Sequence, residues 1–277
     1  MIKKTLFCGL IISLLLSAGC IQQEAKENDT PTTIAADKAA VLSSVVKAVN
    51  GIFTGYDAVM SSSAQELSGV DYGSQEARDV LTDALNKTPY SLEYAIVDAG
   101  DILVTVEPQQ YKSSEGANIS GQEHVKKLKA TGKPVMGGIF KAVEGFEAAA
   151  IHYPIYSKGN NLSGELSLLI MPQTVIGETA KPLLEGTGLE AWAMDTNGRI
   201  LYDADTGEIG KDLFTDPAYQ SYPELLSLGR IIANQTSGTG EYSFLRQATN
   251  ESVSKQAQWD TVELYGTEWR IVVTQEV

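Results

Sequence analysis

The amino-acid sequence predicts an α+β protein in which a long N-terminal helix is followed by two antiparallel-sheet modules of one plan. Apolar residues recur every three or four positions between residues 34 and 69, which is the spacing of an amphipathic helix. From residue 89 onward, short apolar runs alternate with turn residues, as in β-strands. The order of these runs repeats after about 97 residues, so two related units explain the chain better than one large domain.

The long helix has an apolar face that can be read from the sequence. Its apolar positions are Val41, Val45, Val49, Ile52, Phe53, Tyr56, Val59, Met60 and Leu67. Gly69 marks its expected end, and a shorter helix should follow with Ser74 as its N-cap. A unit of about 80–90 residues has only a marginal core. We therefore expect the long helix to pack along both modules and complete their cores.

The first module should contain five strands and one helix. The predicted strands cover residues 94–98, 102–106, 134–143, 146–156 and 165–171. Ala99-Gly100-Asp101 separates the first two strands as a hairpin turn. Ser120-Gly121-Gln122-Glu123 fits a capping box that opens a helix through about residue 130. Pro172 lies where a helix connecting the two modules would begin.

The second module repeats this order. Its predicted strands cover residues 189–195, 199–203, 241–246, 256–264 and 267–274, and its helix covers residues 225–233. The turn Thr196-Asn197-Gly198 separates the first two strands and corresponds to the turn near Gly100 in the first module. Both modules therefore read as strand, strand, helix and three further strands.

The N-terminus indicates export. Lys3 and Lys4 precede an apolar run over residues 6–16, and Ser17-Ala18-Gly19-Cys20 follows, which is the order of a secretory signal. The apolar run is about a dozen residues long, whereas a helix needs roughly 20 to cross a bilayer. A cysteine after small residues resembles the lipobox of prokaryotic lipoproteins, so we expect Cys20 to be lipidated. The alternative is a plain signal peptide that happens to precede a cysteine.

The cysteine count agrees with a lipid anchor. Cys8 lies inside the signal, so Cys20 would be the only thiol of the mature chain, and no disulfide or cysteine nucleophile is expected. The net charge is −14 and becomes −16 once the two lysines of residues 1–19 are removed. A chain this acidic is not expected to bind nucleic acid or anionic lipid through its general field.

Asparagines fall in glycosylation sequons far more often than chance predicts. Six of the nine asparagines begin Asn-X-Ser/Thr, namely Asn28, Asn86, Asn118, Asn161, Asn234 and Asn250. With 43 serines and threonines in 277 residues, about one or two such sites would arise by chance. Together with the lipobox, this excess predicts a glycosylated archaeal-type surface lipoprotein. Sequence drift in polar loops is the alternative.

A signature in the second module points to a family. Asp195-Thr196-Asn197-Gly198 is followed by Ile209-Gly210 and by Phe214, Asp216-Pro217 and Tyr219. This pattern resembles the double Cache family, whose modules are PAS-like, and the resemblance extends over roughly residues 34–277. Members of this family are usually ectodomains of chemoreceptors and histidine kinases. The resemblance therefore implies binding of a small ligand such as an amino acid, amine or carboxylate, commonly in the membrane-distal module.

The chain departs from that family in two respects. Residues 111–125 contain no arginine or tryptophan, so the arginine-X-tryptophan-tyrosine run that grips amino acids in one subgroup is missing. No second membrane span or output domain follows the second module in this sequence, so we expect a membrane receptor or transporter as partner. We expect five parts: signal peptide 1–19, lipidated tether 20–33, helices 34–88 and two modules, 89–185 and 186–277, which the resemblance implies are membrane-distal and membrane-proximal.

The sequence gives little indication of catalysis. It contains two histidines, no usable cysteine, and no motif for a serine nucleophile, zinc protease or phosphate loop. Asp203, Asp205 and Glu208 lack the distal glutamate of a calcium loop, so a turn is expected there. We predict no catalytic residues, no metal and no cofactor. His124 is expected to be solvated, and His152 to be a buried histidine or a ligand contact.

Aromatic residues supply the candidate ligand site. In the first module we predict that Tyr94, Phe140, Phe146 and His152 wall one side of the sheet and bind a carboxylate, amine or similar ligand. Trp192, Tyr202 and Tyr219 form a comparable set in the second module. The predicted function is a non-enzymatic, lipid-anchored, extracytoplasmic sensor-type protein. The alternative is a structural or adhesion lipoprotein whose modules have filled cores and bind nothing.

Anchoring should depend on Cys20. We expect Cys20→Ala to release the protein into the medium or to leave it unprocessed, because the thiol that carries the lipid is gone. Cell fractionation and intact-mass spectrometry would check this, since wild-type protein should carry acyl mass. Cys8→Ala is the matched control and should leave membrane retention unchanged. Full retention of the Cys20→Ala protein would contradict the lipoprotein prediction.

Overall fold

The computed structural model describes residues 31–246 and 251–277. The described chain has a long N-terminal helix and two antiparallel sheets, so it is α+β as predicted. Helix α1 spans Pro31–Glu66 and α2 spans Gln75–Lys87. Ser74 caps α2 as predicted, because its Oγ accepts a hydrogen bond from the Ala77 N–H at 3.2 Å. Within the described ranges, no helix combines the length and apolarity that a membrane crossing requires.

The boundary between tether and helix differs from the prediction. Helix α1 begins at Pro31, so residues 31–33 of the predicted tether are helical. Proline is tolerated in the first turn of a helix, where its missing N–H would have no partner in any case. Cys20, Asn28 and the rest of the predicted signal and tether lie outside the described residues.

The first sheet contains six strands, and helix α3 lies between its second and third strands. The strands are β1 Ser91–Asp98, β2 Leu103–Glu107, β3 Val135–Met136, β4 Phe140–Lys141, β5 Glu147–Tyr156 and β6 Leu162–Ile170. Helix α3 spans Glu123–Thr131, and a 3-10 helix covers Gln109–Ser114. The strand order is β2-β1-β6-β5-β3, and β4 also pairs with β5.

The second sheet has the same order, which confirms the repeat. Helix α4, Pro172–Leu184, connects the modules and starts at the predicted proline. The strands are β7 Glu190–Asp195, β8 Ile200–Asp203, β9 Gly238–Arg246, β10 Glu251–Leu264 and β11 Thr267–Glu276, in the order β8-β7-β11-β10-β9. Helix α5 spans Pro223–Asn234, and 3-10 turns cover Thr206–Glu208 and Pro217–Tyr219. In each sheet the first strand therefore lies between the second and the last.

Two local predictions in the first module are wrong. The single strand over residues 134–143 is interrupted at Gly137-Gly138-Ile139, where a Cβ on Gly137 would lie 2.7 Å from Nδ1 of His124. Glycine at position 137 therefore leaves room for the imidazole ring beside the backbone. Ser120 does not cap α3 either, since the N-cap is Gln122 and makes no side-chain cap bond. The Ser120 hydroxyl and N–H both donate to Asn118 Oδ1, which forms a turn before the helix.

A single hydrophobic core joins α1 to both sheets. From α1 it includes Leu42, Val45, Val49, Phe53, Tyr56 and Met60; from the first sheet Tyr94, Ile96, Ile151 and Leu168; and from the second sheet Ala193, Trp269 and Ile271. The Phe53 and Trp269 rings meet edge to face with centroids 5.2 Å apart. Such aromatic pairs add stability beyond the apolar area that they bury. The core therefore belongs to both modules, as the sequence predicts.

Polar contacts also link the modules. The Thr267 hydroxyl, at the start of β11, donates to the Met136 carbonyl at 2.7 Å. The Arg199 guanidinium, beside β8, donates to the Glu147 carboxylate at 2.6 Å. The second of these is exposed and contributes little to stability. Together they attach the second module to strands β3 and β5 of the first.

Because the core is shared, the two modules should unfold together. We expect Phe53→Ala to lower the free energy of unfolding by about 3–5 kcal/mol, as for other buried Phe→Ala changes. All three tryptophans lie in the second module, so their fluorescence reports that module, while circular dichroism reports the whole chain. Urea unfolding followed by both probes should give coincident transitions that shift together in the variant.

Thr54→Ala is the matched control, because Thr54 is the exposed neighbour of Phe53 on α1. It should change the free energy of unfolding by no more than about 0.5 kcal/mol. Separate transitions for fluorescence and circular dichroism, or a Phe53→Ala effect on one probe only, would contradict the shared core.

Candidate functional site

Strand pairing divides the predicted ligand residues between the two faces of the first sheet. Tyr94 pairs with Leu168, and Leu168 pairs with Ile151. One step along, Ala95 pairs with Ser167, which pairs with His152. Residues that are level across neighbouring strands share a face of a sheet. Tyr94 therefore points to the α1 face and His152 to the opposite face.

The expectation that Tyr94 shares a face with the other three residues is wrong. Tyr94 is fully buried in the core between the sheet and α1, beside Ile96 and Ile151. Sequence alternation shows which residues of one strand share a face, but it does not show which faces of different strands coincide. Tyr94 consequently cannot wall a cavity on the His152 side.

Phe140, Phe146 and His152 do lie on one face. The two phenylalanines pack at the edge of a small apolar cluster formed by Ala142, Ala148, Ala150 and Leu169. The Phe146 ring lies 5.7 Å from the Tyr111 ring, and the Phe140 ring lies 4.8 Å from the His124 ring. The structure thus brings together three of the four predicted site residues and adds Tyr111 and His124.

His152 is held by two hydrogen bonds. Its Nδ1 lies 2.8 Å from Glu165 Oε2, and its Nε2 lies 3.2 Å from Ser167 Oγ. Burial lowers the pKa of His152 to about 3, so the imidazole is neutral at pH 7. A neutral imidazole has one donor and one acceptor nitrogen, so both of its nitrogens are already engaged. Burial raises the pKa of Glu165 to about 8, with Asp101 adding to the rise and Lys129 opposing it.

His124 is buried, and the prediction that it is solvated is wrong. Its ring lies 4.6 Å from the His152 ring, and its Nε2 lies 2.7 Å from Gln122 Oε1. Burial, together with the nearby His152, lowers the pKa of His124 to about 3. The docking of α3 on the sheet places His124 there, and its sequence neighbours Lys126 and Lys127 point to solvent.

Two acidic residues that are not among the predicted site residues complete the cluster. Glu93, on β1, is 2% exposed, and no donor among the described residues reaches its Oε2. Oε1 of Glu144, on the turn between β4 and β5, is also buried without a donor. Burial and the facing carboxyl group of Glu144 raise the pKa of Glu93 to about 9. The sequence contains one feature that could have identified Glu93 as a site residue. It is an acidic residue inside the apolar run Leu92-Glu93-Tyr94-Ala95-Ile96, where an unpaired charge is costly.

A small, partly open cavity lies among these groups. It has a volume of about 20 Å³, which is room for one water molecule, and is lined by Glu93, Phe140, Glu144, His152 and Ser167, among others. An adjoining groove of about 490 Å³ shares Gln122 and Phe140 with the cavity. Ligand pockets commonly have volumes of about 300–1,000 Å³, so the groove is large enough for a small molecule and the cavity for one of its groups.

The second module distributes its aromatic residues differently. Trp192, Tyr219, Tyr242 and Trp259 are buried in a core of their own beneath α5. Tyr202 lies on the opposite face of the sheet, in the core shared with α1. The proposed alternative set Trp192, Tyr202 and Tyr219 is therefore split between faces. Asp205 caps the 3-10 turn Thr206–Glu208, and the described residues bring no three metal-ligating side chains together.

The asparagines of the described sequons are accessible. Asn86, Asn118, Asn161 and Asn234 are all exposed, as attachment of a glycan requires. Asn250 lies outside the described residues, as Asn28 does. Glycosylation of these six residues stays a prediction.

A sensor-domain family matches the part of the chain that holds the cavity. Residues 51–172 match the family described as HK/GC/Chemotaxis protein-like, sensor domain. This range covers the C-terminal part of α1, α2 and the first module. The signature that the sequence suggested in the second module lies outside it. No curated protein matches the chain.

Solved structures show the same fold. An extracellular ligand binding receptor from Desulfohalobium retbaense is 28% identical with a TM-score of 0.73, over 86% of this chain and 40% of the receptor chain. The ligand-binding domain of the Pseudomonas aeruginosa amino acid chemoreceptor PctB, solved with L-Gln, is 16% identical with a TM-score of 0.60, over 86% of this chain and 89% of that domain. The ligand-binding domain of Pseudomonas fluorescens CtaA, solved with L-leucine, is 13% identical with a TM-score of 0.61, over 89% of this chain and 96% of that domain.

These likenesses confirm the predicted fold class, a long helix followed by two Cache-like antiparallel-sheet modules. The chain spans less than half of the Desulfohalobium receptor, so it corresponds to one part of that protein. The division of the chain at residues 88 and 185, and the membrane-distal position of the first module, stay predictions.

The raised pKa of Glu93 leads to a prediction about how the stability of the fold depends on pH. An unfolded glutamate ionises near pH 4.3, whereas Glu93 in the fold ionises near pH 9. The fold holds the proton more tightly, so this group's contribution is fully present below pH 4.3 and is lost as the pH rises to about 9. Glutamine does not titrate. We expect the free energy of unfolding to fall less between pH 5 and pH 9 in Glu93→Gln than in wild type. The difference between the two falls should be at least about 1.4 kcal/mol, which corresponds to one pKa unit.

Urea unfolding at pH 5, 7 and 9 would measure this difference. Glu178→Gln is the matched control, because Glu178 is an exposed glutamate on α4 that pairs with Lys181. Its stability should follow the wild-type pH profile. If the Glu93→Gln profile also runs parallel to wild type, Glu93 does not hold a proton in the fold.

Proposed function

We propose that this chain is an extracytoplasmic, non-enzymatic sensor-type protein that binds a small molecule in its first module. The observation that carries the proposal is the buried polar cluster around the cavity, with Glu93, Glu144, His152 and Ser167 facing one space. Buried polar groups without partners are costly to stability. Glu93 Oε2 and Glu144 Oε1 have no such partner among the described residues, and a binding site uses polar groups of this kind to orient its ligand.

The likenesses to known proteins support the same proposal. The family match is to a sensor domain and falls on the module with the cavity. The Desulfohalobium protein is an extracellular ligand binding receptor, and PctB and CtaA are chemoreceptors solved with amino acids. An amino acid is not the preferred ligand here, because residues 111–125 lack the arginine and tryptophan of the gripping run.

We also propose that the mature chain is lipid-anchored through Cys20 on the outer face of the cell membrane and glycosylated at its sequons. The lipobox and the exposed positions of Asn86, Asn118, Asn161 and Asn234 support this placement. A membrane receptor or transporter would receive the ligand or the signal. Contacts such as Thr267 with Met136 offer a route by which a change near the cavity reaches the second module.

A ligand should stabilise the first module against heat. Binding raises stability by mass action, by about 2.7 kcal/mol at a hundredfold excess over the dissociation constant. A thermal-shift screen of amines, carboxylates and small polyols should therefore find at least one stabiliser. Ala142→Leu should abolish that shift, because Ala142 lines the cavity and a larger side chain would fill it.

His152→Ala is a less suitable variant for this test, since it would leave Glu165 buried without its partner and cost about 1–3 kcal/mol in the unliganded protein. Ala58→Leu is the matched control for Ala142→Leu, because Ala58 is exposed on α1. Native mass spectrometry of protein from its own host would show a retained ligand directly. If a broad screen and native mass spectrometry both find none, the structural or adhesion lipoprotein is the better account.

A further inference from the structure

We propose that the first-module site binds a primary amine, with the ammonium group in the cavity beside Glu93 and Glu144 and the rest of the molecule in the adjoining groove. This inference rests on the proposed ligand-binding function and narrows the ligand to one charge and one size of head group.

Charge favours a cation. Glu93 Oε2 and Glu144 Oε1 are buried and have no donor among the described residues. No lysine or arginine lies among the residues that line the cavity in the described part of the chain. Of the nearby cations, Arg78 is paired with Glu107 and Glu115 and Lys129 with Asp101, while Lys127 lines the groove and not the cavity. A ligand that brings its own N–H donors and positive charge would satisfy both carboxyl groups.

The remaining polar groups do not favour a carboxylate ligand. Both nitrogens of the neutral His152 are engaged with Glu165 and Ser167. His124 is neutral and bonded to Gln122. A ligand carboxylate in the cavity would thus find no cation among the lining residues of the described chain. Burying an unpaired charge is costly, so the site discriminates against anions.

Size favours a primary ammonium group. The cavity of about 20 Å³ holds one water molecule, and an –NH₃⁺ group is of similar size. A trimethylammonium group is too large for this space. The groove of about 490 Å³ begins at Gln122 and Phe140 and would take an alkyl or polar chain. The Phe140 ring at this junction can also interact with a cation through its face.

The unliganded site compensates for its own charge with a proton. The raised pKa of Glu93 means that its carboxyl group is protonated at pH 7 and can share that proton with Glu144. An ammonium group would replace the shared proton, which then passes to the solvent. Amine binding should therefore release a proton near pH 7 and tighten as the pH rises toward 9.

Isothermal titration of the purified protein with four matched probes tests this inference: n-butylamine, butyltrimethylammonium, 1-butanol and butyrate. At pH 7.5 we expect n-butylamine to bind at least tenfold more tightly than each of the others. Repeating the titration in buffers of different ionisation enthalpy should show proton release. Glu93→Gln and Glu144→Gln should each weaken n-butylamine binding at least tenfold, while Glu178→Gln leaves it unchanged.

Unliganded melting of each variant would confirm that it is folded before its affinity is compared. If n-butylamine binds no better than butanol while a compound from the broad screen binds in a manner that Ala142→Leu abolishes, the amine inference is wrong and the ligand-binding function stands. Equal binding of butylamine to wild type and both glutamine variants would also overturn it. If neither the four probes nor the broad screen yields a ligand, both proposals fail.

Discussion

The packing of helix α1 against both sheets is the constraint on which the rest of the structure depends. Each module is small for an independent domain, and each sheet has one apolar face that must be covered. Helix α1 covers both faces with one stripe of residues, including Phe53 against Trp269 and Tyr56 and Met60 in the same core. The apolar burial that a small module lacks is supplied by a helix that it shares with its neighbour.

Because the apolar core lies on the α1 face of the first sheet, the opposite face can carry polar residues. The α1 face of β1, β5 and β6 carries Ile96, Ile151 and Leu168, which need no partner beyond apolar neighbours. The opposite face carries Glu93 and His152, which are buried beneath α3 and the turn between β4 and β5. The apolar core and the proposed binding site therefore lie on opposite sides of the same strands. The stability that the apolar face supplies offsets the free-energy cost of burying polar groups on the opposite face.

Burial determines the electrostatic state of the polar face. The two histidines lose their charge, and the carboxyl groups of Glu93 and Glu165 hold their protons above neutral pH, because a low-dielectric environment disfavours every charged form. These four groups are thereby kept neutral in the unliganded protein at pH 7. Such a site responds to a ligand by exchanging protons, since a ligand of suitable charge can replace a proton that burial holds in place.

The sequence by itself determined the elements and their repeat, because hydrophobic period, N-caps such as Ser74 and helix-opening prolines such as Pro172 act within a few residues. It also placed Phe140, Phe146 and His152 in one module. Only the tertiary structure decided that Tyr94 faces α1, that His124 is buried and that Glu93 meets Glu144. Strand register and the docking of α3 and the β4–β5 turn bring these residues together from distant parts of the chain, and local periodicity carries no information about such pairings.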